Sequence, residues 1–118
     1  MSYHSFEDLE VWKRGCQLSV DVYELFRGSK EFAFRDQMIR SSLSIPSNIA
    51  EGAERGSNAD FIRFLHYSKG SSAELRTHAH IAERLRLISD EAAQSVVRES
   101  RELSAMLHSL LGRLGSGS

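Results

Sequence analysis

Apolar residues recur at steps of three and four along almost the whole of this 118-residue chain, and a single proline interrupts them. That period places side chains on one face of an α-helix, whereas a half-buried strand alternates every second residue. The chain is thereby confined to helices, and four segments carry the pattern. In the first, Ser5 followed by Glu7 and Asp8 predicts an N-cap with acids in the first turn, where the helix dipole favours them. Leu9, Trp12, Cys16, Ser19, Tyr23 and Phe26 form one line, and Val11, Gly15, Leu18, Val22 and Leu25 a second. An apolar face this wide exceeds what one bundle core needs. Gly28-Ser29-Lys30 ends the segment.

The second helix is predicted from about Phe34 to about Arg55, with Met38, Ile45, Ile49 and Ala53 as its main line and Phe32, Ile39, Leu43 and Ala50 beside it. Pro46 lies inside it, lacking a donor and crowding the carbonyl of Ser42. Because the apolar rhythm survives across Pro46, the helix is expected to bend and continue, with the hydroxyls of Ser41, Ser42 and Ser44 serving the freed backbone groups. The third helix is predicted from a Ser57-Asn58 cap to about Leu87 on the line Phe61, Leu65, Ser68, Ser72, Leu75, Ala79 and Ala82. Its small middle, Gly70-Ser71-Ser72-Ala73, predicts close approach of another backbone. Ser89-Asp90-Glu91 caps the fourth, whose seam is Ala93, Val96, Ser100, Leu103, Leu107, Leu110 and Leu114.

Four helices with short connections predict an all-α fold, an antiparallel up-down-up-down four-helix bundle over residues 1–114. Residues 115–118 are expected to be a disordered tail or a cloning remnant. The surplus apolar surface of the first helix predicts a further partner, of which a second copy is the simplest.

Composition serves to exclude. Lone Cys16 permits no intramolecular disulfide and suits a reducing cytoplasm. No apolar run approaches the ~20 residues of a membrane span, and the opening MSYHSFEDLE does not read as a signal peptide. Phosphate-loop, dinucleotide-loop, zinc-protease and S-x-x-K patterns are missing from the chain. His78 and His80 form an H-x-H pair, but two residues apart on a helix they lie about 200° apart and cannot share one ion. Glu74 and His78 are read as a surface or half-buried hydrogen-bonded couple, and Cys16 as a buried, unreactive thiol. The expectation is a protein with no catalytic residues, no cofactor and no metal.

Two polar constellations remain. Arg40, Ser44, Asn48 and Glu51 share a face of the second helix, with Arg55 beyond. They read either as a buried polar network holding helices or subunits in register, or as a pocket for a ligand or nucleic acid. Charge is the second signal. Fifteen Lys and Arg against sixteen Asp and Glu leave a net −1, so no polyanion partner follows from the total. Residues 58–88, however, carry Arg63, Lys69, Arg76, Arg84 and Arg86 against three acids, while every other segment is negative. Arg63, His66, Lys69, Arg76, His80 and Arg84 fall within one broad face of the third helix. They are candidate contacts to nucleic-acid phosphates, with a solvated, salt-bridged face as the alternative.

FEDLEVWKRG (Phe6–Gly15), SIPSNIAEG (Ser44–Gly52) followed by Arg55, and FIRFLHYSKGSSAEL (Phe61–Leu75) resemble the bacterial four-helix-bundle family named for the intervening-sequence protein of 23S ribosomal RNA. The likeness runs from about Phe6 to Leu87. By position the motif residues are Asp8, Leu9 and Trp12; Ile45, Pro46 and Asn48 through Gly52 with Arg55; and Phe61, Phe64, Leu65, Gly70, Ser71, Glu74 and Leu75. The resemblance implies a closed bundle assembling as a homopentameric barrel. A related branch, the accessory variability determinants of diversity-generating retroelements, binds a reverse transcriptase and nucleic acid through a basic surface. That branch is strongly basic, and this chain is not. The functional expectation is a non-enzymatic, self-associating protein that binds RNA, DNA or a protein handling them, with a purely structural protein–protein scaffold as the alternative.

Overall fold

The computed structural model describes residues 5–116. Ser5 accepts a hydrogen bond at Oγ from the Glu7 N–H at 3.0 Å, but what it caps is a single 3-10 turn, Phe6–Asp8. Leu9 is then extended at φ −76° and ψ 127°, so helix α1, Glu10–Leu25, starts one turn later than the capping signal predicts. The offset lets Phe6 lie edge-on against Trp12, ring centroids 5.4 Å apart.

Helix α2, Phe32–Glu54, continues through Pro46. The serine hydroxyls do not serve the Ser42 carbonyl. Ser41 donates to the carbonyls of Gln37 and Met38, and Ser42 to that of Ile39, one turn earlier than expected. Such back-bonding is the short-range option always open to a helical serine. Helix α3, Asn58–Arg84, starts where predicted, with Ser57 Oγ accepting from the Asp60 N–H at 3.2 Å. Helix α4, Asp90–Ser116, is capped by Ser89, whose Oγ accepts from the Ala92 N–H at 3.1 Å. It runs through Ser116, past the expected boundary at 114; the last two residues of the expected tail lie outside the described residues.

α3 stops short of Leu87 because the chain reverses at Arg86. The Leu87 N–H returns to the Ala82 carbonyl at 2.9 Å and the Arg86 N–H to that of Glu83 at 3.0 Å. This is a Schellman termination, which places its C′ residue in the left-handed region, and Arg86 sits there at φ 59°. Glycine would take that conformation without steric cost. Arg86→Gly should therefore stabilise the protein by about 1 kcal/mol and raise its melting temperature by about 4 °C. A calorimetric melting point at or below that of the parent would contradict this reading of the turn.

Consecutive helices pack side by side, and α1 closes the bundle against α4. Contacts descend α2 as they ascend α3: Ser44 meets Ser71, and Ser41 meets His78. The apolar lines of the four helices converge on one core, in which Val22, Met38, Ile45, Ile49, Leu65, Leu75, Leu103 and Leu107 are sealed from solvent. On α1 it is the Val11–Gly15–Leu18–Val22 line that is buried, while Trp12 and Cys16 are half-buried and Tyr23 is exposed.

Close approach does not occur at Gly70, where a methyl group would meet nothing within 4 Å. It occurs at Gly52, where a Cβ would stand 2.6 Å from the Phe64 Cβ, and more loosely at Gly15, 3.4 Å from Pro46. The serines near Gly70 still matter. Ser68 Oγ donates to the Ile45 carbonyl at 2.8 Å, and Ser72 Oγ donates to the Ser100 carbonyl at 2.8 Å while accepting from Ser104 Oγ at 3.0 Å. α1 is tied to α4 by Arg14, whose Nε and Nη2 donate to the two oxygens of Glu99 at 3.0 and 2.7 Å, with Glu102 at 3.2 Å.

The large apolar side chains left exposed, Val20, Tyr23, Phe32, Leu43, Tyr67 and Ile81, lie on α1, α2 and α3, with Leu85 at the C-cap of α3. Among the described residues, no helix is long and apolar enough to cross a membrane.

Candidate functional site

α3 buries the Phe61–Leu65–Ser68–Ser72–Leu75–Ala79–Ala82 line, and this fixes which of its residues face outward. At about 100° per residue, Arg63, His66, Lys69, Arg76, His80 and Arg84 span the opposite half of the helix. His66, His80, Arg63 and Arg84 are exposed, and Lys69 and Arg76 are half-buried at the edge toward α4. The six extend over about 30 Å of helix. Small residues, Gly70, Ala73 and Thr77, occupy the middle of this face. Lys69, Arg76 and Arg84 make no ion pair among the described residues, so their charges act outward.

Arg63 is different. Its Nη2 lies 2.9 Å from Asp60 Oδ1, and its guanidinium stands 4.9 Å from the centroid of Phe64. Asp60, and after it the Tyr67 side chain, hold this guanidinium above its ordinary range, while Arg63 holds the Asp60 carboxyl below the usual carboxylate range.

The second constellation does not form one buried network. Asn48 Nδ2 donates to the Ser44 carbonyl at 2.8 Å and to Ser44 Oγ at 2.9 Å, within its own helix, and the crossing to α3 is made by Ser71 Oγ, which donates to Ser44 Oγ at 2.8 Å. Glu51 pairs with Arg55 at 3.1 Å on the surface, and Arg40 is exposed. The face is legible from the helical period, but Arg40 and Glu51 at its two ends are exposed, so their charges stay in water. Arg55, at the C-cap of α2, also stands 4.8 Å from the Phe64 centroid, so it and Arg63 of α3 converge on one ring. Phe64 and Tyr67 were not expected in the site. The one sequence signal for them is the spacing of Arg63 and Tyr67 at i and i+4.

His78 turns to α2, with Nδ1 3.4 Å from Ser41 Oγ and its ring edge-on to Phe34, and not to Glu74 as expected; His80 is exposed. Among the described residues no three His, Cys, Asp or Glu side chains are grouped to hold a metal ion. Cys16 is only half-buried, yet desolvation pushes its thiol up, away from thiolate chemistry.

The fold and surface define an antiparallel four-helix bundle whose third helix presents cations. The sequence pattern of the 23S rRNA-intervening sequence protein family matches residues 7–109, and the chain belongs to that family. Among solved structures, the chain is similar to a protein of unknown function from the S23 ribosomal protein family of Bacteroides thetaiotaomicron VPI-5482. The two share 28% identity at a TM-score of 0.80, over 86% of this chain and 97% of the other. No curated protein matches the chain.

Proposed function

We propose that the protein is a non-enzymatic, self-associating helical scaffold of the cytoplasm that binds RNA or DNA through the outer face of α3. The observation that carries this reading is the gathering on one face of α3 of three cations, Lys69, Arg76 and Arg84, that form no ion pair among the described residues, flanked by His66 and His80. Arginine presents a planar fork of donors suited to phosphate oxygens. Repetition of the stripe around a homopentamer would multiply its field, and the exposed Val20, Tyr23, Phe32 and Leu43 supply apolar surface for such an assembly.

Fluorescence anisotropy with RNA and DNA across a salt series tests the proposal. Affinity should fall linearly in log–log form against salt, the slope counting the phosphates engaged. Arg76→Glu with Arg84→Glu should weaken binding at least tenfold and lower the slope by about two, with the assembly's mass unchanged. No binding at low salt by an intact oligomer would leave the second reading, a scaffold for a protein partner, for which the same exposed apolar side chains speak.

A further inference from the structure

The corner where α2 hands over to α3 holds a cluster that the outward cations of α3 do not explain. Phe64 is seated against the backbone of Gly52 and is 6% exposed, so its ring is a fixed platform. The guanidinium of Arg55 stands 4.8 Å from the ring centroid and that of Arg63 4.9 Å from it, which brings the two charges within about 10 Å of each other. Each guanidinium carries the planar fork of donors that takes two phosphate oxygens at once. Two like charges converging on one ring repel, and each is balanced by a single contact to a carboxylate, Glu51 at 3.1 Å and Asp60 at 2.9 Å. Exposed pairs of this kind are weak and exchange readily. Most of the five N–H donors of each arginine stay open to another anion.

Beside them stands an aromatic ring. Tyr67 lies one turn beyond Arg63 on α3, meets Phe64 at 5.3 Å between centroids and 79° between planes, and keeps 49% of its surface in solvent. A phosphate grip next to an open aromatic side chain matches the chemistry of a nucleotide whose base is unpaired, because stacking on a side chain needs a base freed from its duplex partner.

We infer that Arg55, Arg63 and Tyr67 form a binding site for single-stranded nucleic acid, the two arginines holding one backbone phosphate and Tyr67 stacking on the neighbouring base. The inference rests on the proposed nucleic-acid contact and adds to it a specific seat and a preference for unpaired strands. Glu51 and Asp60 hold the arginines in place and compete with the incoming phosphate.

The test is anisotropy with a fluorescein-labelled 12-nucleotide oligo-dT and a duplex of equal length, using the full chain at low salt. Tyr67→Ala should weaken oligo-dT binding about tenfold and Tyr67→Phe should retain it. Arg55→Lys and Arg63→Lys, which keep the charge and lose the fork, should each weaken binding severalfold, and Glu51→Gln should tighten it. Circular dichroism checks that each variant is folded; Glu51, Arg55, Arg63 and Tyr67 are all exposed. If Arg76→Glu and Arg84→Glu impair binding while Tyr67→Ala and both lysine variants do not, the corner site is overturned and the wider α3 reading stands. Equal binding of duplex and single strand, unaffected by Tyr67→Ala, also overturns it. No binding of either probe removes both readings.

Discussion

Gly52→Ala should destabilise the protein by about 2–3 kcal/mol, an overpacking cost with nowhere to go. The added methyl would stand 2.6 Å from the Phe64 Cβ and 3.4 Å from the Phe61 backbone, and neither can swing aside as the tip of a flexible side chain could. Relief requires α3 to move off α2 at the corner, which also lifts Phe64 from its seat and separates Arg55 from Arg63. Gly70→Ala makes the internal contrast. Gly70 is a helical residue with open space where its Cβ would be, so alanine there should stabilise by about 1 kcal/mol through helix propensity alone. Urea titration of the two variants should give midpoints on opposite sides of the parent. A Gly52→Ala protein as stable as the parent would mean that α2 and α3 do not approach this closely.

The larger loss is expected at Ser72. It is fully buried, donates to the Ser100 carbonyl at 2.8 Å and accepts from Ser104 at 3.0 Å. Leucine there both removes these bonds and forces extra volume between α3 and α4. The two effects together should cost about 3–5 kcal/mol, a large share of the 5–15 kcal/mol typical of a domain. Ser72→Ala separates them. It leaves the packing volume nearly unchanged and gives up only hydrogen bonding, for about 1 kcal/mol, since half-buried Ser104 can turn its hydroxyl to water. Equal losses for the two variants would show that volume is not what limits the α3–α4 contact.

These two positions mark how far the sequence could be read. The four apolar lines were legible because a helix has one period, and every residue of the α3 line is buried as the period requires. Continuation of α2 through Pro46 was legible for the same reason. Gly70 and Gly52 are both helical glycines, and counting residues does not reveal which of them faces a neighbouring backbone. Ser5 carries a sound capping signal, but where the chain turns afterwards depends on Phe6 finding Trp12. The pairing of Arg14 with Glu99 joins residues 85 apart and has no local signature. The basic face of α3 was visible as charge at helical spacing. The Phe64 platform was not, because it needs Arg55 from one helix and Arg63 from the next to meet, and that meeting follows from the tight turn between Glu54 and Asn58.

The order of packing around the bundle has a kinetic consequence. α1 lies on α2, α2 on α3 and α3 on α4, so most of the structure forms between segments already adjacent along the chain. Such low contact order belongs to folding in microseconds to milliseconds, with helical hairpins as the early units. One event is slow by comparison: bringing the first helix across to the last must close a loop of more than eighty residues, at an entropic cost that the Arg14 contacts to Glu99 and Glu102 help to offset. The α1–α4 seam is thus the last to close and the first to open, and amide exchange should be fastest along it.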